Sequence, residues 1–364
     1  MTAFPPSFER ILLIQLGDIG DVILTIPAIK AIRDTFPESR IVACVRNKAA
    51  EIIADCPWVS DVLTVRKDRN SMQSTLIDQF HWLRKLRAYR FDLAIDLRTG
   101  TRGAIIAGFS GAGTRIGRFA EDGRLWRNRV FTHRVTPPDE SMQYSAEHNL
   151  NILFPLNLRI QDRNLHITVP SYRKQAAARL FTHENIAMNR PILAFHPFSL
   201  WKYKEWPIDS CVGLIDCVQR NYDVTIIITG SPDERKRADQ VVDRCRIKPF
   251  NLAGKTSIGE LAAVLSTCHG FIGVDTAALH LAAAVGIPTL GIFGPSPAVC
   301  WAPRGSQHAV VSKNMSCVPC RRKGCENSEN SRCLNELTVA DIHEKLSRFL
   351  EDNFKFYHND TSDG

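Results

Sequence analysis

The sequence predicts an α/β protein built from two doubly wound parallel sheets. Its 364 residues exceed one ordinary hydrophobic core and fit two domains of about 150 to 180 residues each. Short apolar runs alternate with helical patterns along the chain, which is the order that joins parallel strands through crossover helices. A composition of 44% hydrophobic and 23% charged residues is typical of a globular protein.

Four apolar runs in the first half predict buried strands, because each is short and bounded by polar or turn-forming residues. They cover residues 11–16, 41–45, 62–65 and 91–96. The segments between them predict helices over residues 22–36, 48–55 and 73–89. This alternation places the end of each strand next to the start of a helix.

The second half repeats the pattern with five strands and four helices. The strands cover residues 192–196, 224–229, 250–253, 270–274 and 289–293, and the helices cover residues 207–220, 234–246, 258–266 and 276–285. Residues 159–190, where prolines surround a polar helix over 172–185, are the expected crossing between domains. We therefore place the first domain at residues 1–170, the second at 171–338 and a C-terminal helix with a polar tail at 339–364.

No targeting or membrane-spanning segment is expected. Two prolines precede a charged pair near the N-terminus, without the basic, apolar and small-residue segments of a secretory signal. The most apolar window, residues 277–294, is interrupted by His280, Gly286, Pro288 and Gly291, which indicates helix, turn and strand rather than a membrane span. We expect a cytoplasmic protein whose membrane contact is peripheral.

The net charge of +8 is unevenly distributed. Residues 1–190 hold 27 Lys and Arg against 19 Asp and Glu, whereas residues 191–364 hold 19 of each. This excess is consistent either with a solvated basic surface or with a patch that attracts a polyanion. Nucleic acid is not the expected partner, since no nucleic-acid module pattern is present and aromatics do not alternate with the basic residues.

The eleven cysteines form two populations. Seven stand singly, mostly among apolar residues, as small core residues of a reduced compartment do. The other four cluster in a polar segment: Cys317, Cys320, Cys325 and Cys333. They could hold a structural zinc ion, although the spacing is not that of a standard finger, and reduced thiols or a redox disulfide are the alternative.

A candidate phosphate site follows the strand over 270–274. Asp275 and Thr276 end that strand, and a small-residue helix containing Ala277, Ala278 and His280 begins. The N-terminus of such a helix presents unpaired N–H groups and a positive dipole end, which suit a phosphate. The second half is therefore predicted to bind a nucleotide, although a lone histidine in a helix is also typical of a buried core residue.

The turn after the first strand contains two carboxylates, Asp18 and Asp21, between Gly17 and a helix expected to start near Val22. The dinucleotide-binding glycine spacing is absent, and two carboxylates would repel a phosphate. Aspartate at a helix start is most often only a cap. Two of them at the carboxyl end of the first strand favour one acting as a general base.

Five motifs occur in a characteristic order along the chain. They are Gly17-Asp18-Ile19-Gly20-Asp21-Val22 with Thr25-x-Pro27-Ala28, Lys204-x-Trp206-Pro207, Gly230-Ser231-x2-Glu234, Asp275-Thr276-x3-His280-Leu281-x-Ala283-Ala284, and Phe293-Gly294-Pro295. Together they resemble the ADP-heptose:lipopolysaccharide heptosyltransferase family, glycosyltransferase family 9, over nearly the whole chain. The cysteine cluster followed by Leu334 is similar to the heptosyltransferase II branch.

The resemblance implies the GT-B architecture, with two Rossmann-like domains facing a cleft. The first domain would bind the acceptor, the second the nucleotide sugar, and a C-terminal helix over residues 339–354 would pack back across the first. It also implies the roles of single residues: Asp21 as catalytic base, Lys204 as the lysine that binds the diphosphate, Glu234 as an acid near the nucleoside, and Asp275, Thr276, Ala277, Ala278 and His280 as the donor loop. Asp18, Arg98 and Arg102 are expected at the acceptor.

The implied reaction is inverting transfer of a heptose from ADP-heptose to an anionic lipopolysaccharide inner core. No cofactor is expected for catalysis, because the sequence contains no Asp-x-Asp triplet and a lysine with a helix N-terminus can offset the charge of the leaving diphosphate. Where members of the family often have glycine after Asp-Thr, this chain has Ala277. Another nucleotide-sugar transferase, an epimerase or a non-catalytic binding relative are the alternatives.

Overall fold

A computed structural model of the chain describes residues 7–65, 72–121, 125–160 and 162–354. It divides into two compact units, Met1–Thr168 and Val169–Gly364. The division falls two residues before the one expected from the sequence. The predicted polar tail, residues 355–364, lies outside the described residues.

The first unit contains a six-stranded parallel sheet with the order β3-β2-β1-β4-β5-β6. Its strands are β1 (Arg10–Gln15), β2 (Arg40–Arg46), β3 (Asp61–Val65), β4 (Leu93–Asp96), β5 (Thr114–Arg118) and β6 (His133–Val135). Its helices are α1 (Ile19–Ile23), α2 (Ile26–Thr35), α3 (Ala50–Ala54), α4 (Met72–Ala88), α5 (Thr101–Phe109), α6 (Leu125–Val130) and α7 (Ser145–Ile152).

Both faces of this sheet are buried, which explains why its central strands are continuous apolar runs rather than alternating ones. Successive side chains of a strand point to opposite faces. Ile11 and Leu13 of β1 accordingly join one hydrophobic cluster, and Leu12 and Ile14 join another. Helices must therefore cover both faces.

The second unit contains another six-stranded parallel sheet, with the order β12-β11-β10-β7-β8-β9. Its strands are β7 (Ile192–His196), β8 (Thr225–Ile228), β9 (Phe250–Asn251), β10 (Gly270–Val274), β11 (Thr289–Phe293) and β12 (His308–Ser312). Its helices are α8 (Ser171–His183), α9 (Ile208–Asn221), α10 (Arg235–Arg244), α11 (Ile258–Thr267), α12 (Ala277–Ala284), α13 (Ala298–Trp301), α14 (Arg332–Asn335) and α15 (Val339–Asn353).

The two sheets share one topology. Counted within its own unit, each has the strand order 3-2-1-4-5-6 of a Rossmann fold, so the predicted fold class is confirmed. The chain reverses its winding direction between the first and fourth strands, which are β1 and β4 in one unit and β7 and β10 in the other. Ligands of such sheets bind outside the carboxyl ends of these strands.

The C-terminal helix α15 packs within the second unit, against β12 and α9. Ile342, Leu346, Phe349 and Leu350 on its buried side join the hydrophobic cluster of that unit. Its return to the first domain stays a prediction. Among the described residues, none of the helices has the length and hydropathy needed to cross a bilayer.

All nine predicted strands occur within two residues of their expected bounds. The predicted helix over 22–36 was wrong as a single element. α1 starts at Ile19, directly after Asp18, and the chain breaks at Leu24 and Thr25 before α2. Pro27 explains the break, because proline fits the first turn of a new helix better than the interior of an old one.

Candidate active site

The turn after β1 places Asp21 in the first turn of α1. The backbone N–H of Asp18 donates to Asp21 Oδ2 at 2.9 Å, which is the reciprocal arrangement of a capped helix. A Cβ on Gly17 would overlap the same oxygen. Only glycine therefore allows the Asp21 carboxylate to fold back over the turn.

Buried Gln15, which the sequence reasoning missed, braces this turn. Its Oε1 accepts the N–H of Gly17 at 3.1 Å, and its Nε2 donates to Thr25 Oγ1 at 3.1 Å. Thr25 Oγ1 in turn donates to the Asp21 carbonyl at 2.8 Å. The sequence signal that could have identified Gln15 is a polar residue at the end of an apolar strand.

The loop after β4 brings Arg98 to Asp21. Arg98 Nη1 lies 2.9 Å from Asp21 Oδ2, and Arg46 Nη1 lies 3.0 Å from Asp18 Oδ1. Asp18, Asp21 and Arg98, three of the residues predicted for this site, thus lie together at the reversal point of the sheet. Arg102 is exposed in the first turn of α5, four residues further along.

A buried pair, Asp96 and Arg127, holds the backbone of Arg98. Asp96 Oδ1 accepts the Arg98 N–H at 3.2 Å, and Arg127 Nη2 donates to the Arg98 carbonyl at 2.7 Å. Asp96 Oδ2 lies 3.5 Å from Arg127 Nη2, and both residues are 1% exposed. The backbone of Arg98, whose side chain contacts Asp21, is therefore held at both its N–H and its carbonyl.

Burial raises the pKa of Asp96 to about 7, although the Arg98 N–H and the charges of Arg127 and Arg98 oppose the rise. Removal of a carboxylate from water disfavours its charged form, and here that effect exceeds the attraction of two guanidinium groups. Sequence reasoning named Asp96 only as the end of a strand. Its partner on α6 could not be read from the sequence, because α6 was not predicted.

In the second unit, Lys204 and Asp275 form an ion pair. Lys204 lies in a short 3₁₀ helix, Lys202–Lys204, after β7, and Asp275 follows β10. Lys204 Nζ lies 2.6 Å from Asp275 Oδ2, and the Asp275 carboxylate is buried. The two residues come from the first and fourth strands of this sheet, as Asp21 and Arg98 do in theirs.

Trp301, at the end of α13, lies between Lys204 and His280. Lys204 Nζ is 5.8 Å from the centre of the Trp301 ring, and the His280 ring is 6.4 Å from it. His280 itself is buried within α12. The sequence reasoning missed Trp301, because a tryptophan after a Gly-Pro turn carries no recognisable motif.

The start of α12 follows the prediction. Thr276 precedes the helix in an extended conformation, Ala277 is half-buried and Ala278 is buried. The first N–H groups of an α-helix have no partner further back within the helix, and here the Leu279 N–H donates to the Thr276 carbonyl at 3.2 Å. The methyl group of Ala278 is packed into the unit, so it does not occupy the space in front of the helix.

Glu234 lies in a different setting. Its Oε2 accepts the backbone N–H of Ser231 at 2.6 Å, which caps the start of a short 3₁₀ helix before α10. The neighbouring Arg237 pairs instead with Glu205, through Nη1 and Oε1 at 3.0 Å, and lies 4.9 Å from the Phe198 ring. This second ion pair, which the sequence did not predict, braces the loop that carries Lys204.

The four clustered cysteines are all free thiols in the structure. Cys317 and Cys325 are exposed, Cys320 is half-buried and Cys333 is buried. Within the described parts of the chain, no three histidine, cysteine or acidic side chains are grouped as metal ligands. The segment also contacts the loop that carries Lys204, because Ser331 Oγ donates to the Tyr203 carbonyl at 2.6 Å.

The structural boundary changes the charge distribution expected from the sequence. Residues 1–168 hold 23 Lys and Arg against 18 Asp and Glu, and residues 169–364 hold 23 against 20. The first unit therefore has an excess of five positive charges rather than all eight. The segment 169–190, with four basic residues and one acidic residue, accounts for the difference of three charges.

A family model and curated proteins match most of the chain. The model of glycosyltransferase family 9 (heptosyltransferase) matches residues 80–330. Lipopolysaccharide heptosyltransferase 3 of Escherichia coli K12 is 27% identical over 341 residues, covering 92% of this chain and 96% of that protein.

Two solved structures share the fold. ADP-heptose lps heptosyltransferase II of E. coli superposes with a TM-score of 0.77 at 17% identity, covering 94% of this chain and 99% of that chain. E. coli heptosyltransferase WaaC with ADP-2-deoxy-2-fluoro heptose gives a TM-score of 0.67 at 20% identity, covering 93% and 99%. These likenesses support the predicted GT-B fold class. Assignment to the heptosyltransferase II branch stays a prediction.

Proposed function

The chain belongs to glycosyltransferase family 9, and on that premise we propose that it transfers a heptose from ADP-heptose to the inner core of lipopolysaccharide. Relatives along nearly the whole chain carry the name lipopolysaccharide heptosyltransferase, and a structural neighbour was solved with an ADP-heptose analogue. The observation that carries the proposal is the pairing of Asp21 with Arg98 at the reversal point of the first sheet.

Asp21 acts as the general base of this reaction. It takes the proton from an acceptor hydroxyl while that oxygen bonds to the anomeric carbon, and the bond from that carbon to the ADP oxygen breaks on the opposite face. The configuration of the sugar therefore inverts. Arg98 keeps the carboxylate oriented and, together with Asp18 and Arg102, contacts the acceptor.

Lys204 and the N-terminus of α12 bind the diphosphate of the donor. Charge on the departing ADP grows as the bond breaks, so an ammonium group and oriented N–H groups stabilise the transition state more than the ground state. Lys204 must then exchange Asp275 for a phosphate oxygen. Glu234 lies near the nucleoside, and His280 supports the loop through Trp301.

No step is assigned to a metal ion, since the cation at the diphosphate is a lysine. A structural zinc ion at Cys317, Cys320, Cys325 and Cys333 is a separate proposal. It is supported by the occurrence of four free thiols within one polar segment of 17 residues, 317–333. As placed, the side chains do not form a complete ligand set. Elemental analysis of the purified protein and of a Cys317→Ser variant tests it.

The protein is further proposed to act in the cytoplasm, in peripheral contact with the inner membrane. The acceptor is a lipid-anchored saccharide, so the enzyme has to work at a lipid surface. Neither nucleic acid nor a second protein is required for the reaction.

Incubation of the pure protein with ADP-heptose, with and without deacylated inner-core acceptor, tests the function. The proposal requires ADP release and a glycosylated product only when acceptor is present. Conversion of the sugar nucleotide without acceptor would identify an epimerase. Donor binding without turnover on any acceptor would identify a binding relative.

A further inference from the structure

Three helices of the first unit expose a second apolar face. Phe80 on α4 is 61% exposed, Ile105 and Phe109 on α5 are 43% and 54% exposed, and Trp126 on α6 is 42% exposed. We call this face, together with the arginines Arg84, Arg87 and Arg129, the α4–α6 surface.

These helices have already buried an inner apolar face. Leu86 of α4 and Ala104, Ile106 and Ala107 of α5 belong to the hydrophobic cluster against the sheet. Ile105 and Phe109 are four residues apart, so they lie together on the outer side of α5. A helix that is apolar on both sides is normally buried on both sides, either by protein or by lipid.

The three helices present one continuous surface. Arg87 Nη1 of α4 lies 3.5 Å from the carbonyl oxygen of Phe109, which joins α4 to the end of α5. A Cβ on Gly108 would lie 3.4 Å from Val130 Cγ1, so α6 adjoins the same end. Phe80, Arg84 and Arg87 are spaced by four and three residues and form a stripe that leads to this junction.

The segment that contains these helices is also basic. Residues 79–135 hold 12 Lys and Arg against 4 Asp and Glu, an excess equal to that of the whole protein. Exposed Arg84, Arg87 and Arg129 lie among the apolar residues rather than in a separate patch. Arginines beside single aromatic and aliphatic residues suit an interface between anionic headgroups and acyl chains.

We propose that the α4–α6 surface docks on a bilayer that exposes anionic phospholipid headgroups. The apolar side chains are exposed among arginines, as insertion between anionic headgroups requires, whereas a docked peptide needs a groove. α5 begins three residues after Arg98, so the helix that faces the lipid continues the loop expected at the acceptor. That link rests on the proposed function, but docking itself does not.

Sedimentation with lipid vesicles tests the proposal. The full chain should bind vesicles of phosphatidylglycerol mixed with phosphatidylcholine, bind pure phosphatidylcholine weakly, and be released by salt. Combined Phe80→Ser, Phe109→Ser and Trp126→Ser substitutions should reduce binding about tenfold or more, as should Arg84→Glu with Arg129→Glu.

Matched substitutions outside the surface serve as controls. Phe154 is 83% exposed and Arg159 is exposed, both in the same unit. Phe154→Ser and Arg159→Glu should bind vesicles as the unchanged protein does, and melting temperatures should show that all variants are folded. Equal binding by control and surface variants would overturn the proposal, as would equal binding to both kinds of vesicle.

Two other ligands of the α4–α6 surface, a nucleic acid and a second copy of the chain, would give different results in these experiments. A single-stranded oligonucleotide that binds through the same residues, with no vesicle binding, would make the surface a nucleic-acid site. A dimer in solution that the serine variants dissociate, again without vesicle binding, would make it an interface between two copies. Either outcome contradicts lipid docking.

Turnover separates this proposal from the proposed function. The serine variants should transfer heptose to a deacylated, water-soluble acceptor at the unchanged rate, and should lose activity on an acceptor embedded in anionic vesicles. If the unchanged protein transfers no heptose to either acceptor, the proposed function fails while vesicle binding can still stand.

Discussion

Lys204 Nζ lies 2.6 Å from Asp275 Oδ2, so the lysine proposed to bind the donor diphosphate is held by a carboxylate within its own unit. The pair keeps the ammonium group in place without ligand. A diphosphate carries more negative charge than one carboxylate and can compete for the same cation. Asp275 thus positions the lysine, and a ligand must bind the ammonium group more strongly than this carboxylate does.

Lys204→Ala should weaken ADP binding about 10- to 100-fold, as expected for a lost charge-assisted hydrogen bond. It should also slow transfer. Lys202→Ala, an exposed lysine of the same turn, is the matched control. Calorimetric titration with ADP measures both, and equal affinities in the two variants would remove Lys204 from the diphosphate site.

Asp21→Asn should lower the rate of transfer about 10²- to 10⁴-fold, since a general base contributes roughly that much. Donor affinity should change little, because Asp21 lies in the other unit from the donor loop. Single-turnover kinetics together with ADP titration separate the two effects. If Asp21→Asn stays active and Asp18→Asn does not, the base is Asp18.

Asp96→Asn should change how stability depends on pH. The folded-state pKa of about 7 is higher than the value of about 3.9 in an unfolded chain, so the folded protein binds this proton more tightly. The resulting stabilisation is complete below about pH 4 and is lost as the pH rises towards 7.

Raising the pH from about 5 to about 8 should therefore lower the melting temperature of the unchanged protein more than that of Asp96→Asn. Asp139→Asn, at an exposed position, should behave like the unchanged protein. Equal slopes for all three proteins would show that Asp96 is ionised throughout. Thermal melts in a buffer series give the measurement.

The apparent acceptor KM should rise steeply with ionic strength, whereas the ADP-heptose KM should move much less. Attraction of an anionic acceptor to basic residues is screened over roughly 8 Å at physiological salt. Arg98→Ala with Arg102→Ala should blunt this dependence, and Arg159→Ala should not. A flat acceptor KM in every protein would indicate that the basic residues are only a solvated surface.

Chelation should leave turnover intact. In the proposed reaction, Lys204 and the start of α12 supply the positive charge that a metal-dependent sugar-nucleotide site obtains from a cation. Initial rates before and after EDTA treatment measure this. Activity lost in EDTA and restored by magnesium but not by zinc would refute a metal-free transfer.

The sequence was sufficient for the loops that follow the first and fourth strands of each sheet, because apolar runs mark the strands and the polar residues after them must lie at one edge. It was insufficient for the Asp96–Arg127 pair. Arg127 lies on α6, and the adjoining strand β5 has only one large apolar residue, Ile116, so neither element has the periodicity that predicts it. The same limit hid Trp301, whose role depends on contacts between distant segments.

The ion pairs of the two units have opposite polarity. In the Asp21–Arg98 pair the negatively charged residue follows the first strand and the positively charged residue follows the fourth. In the Lys204–Asp275 pair the positively charged residue follows the first strand and the negatively charged residue follows the fourth. The same strand order thus carries opposite charges at equivalent positions in the two units. Under the proposed function, the acceptor preference is therefore open to redesign in the loops of the first sheet, without changes to the loops of the second sheet that are proposed to bind the donor.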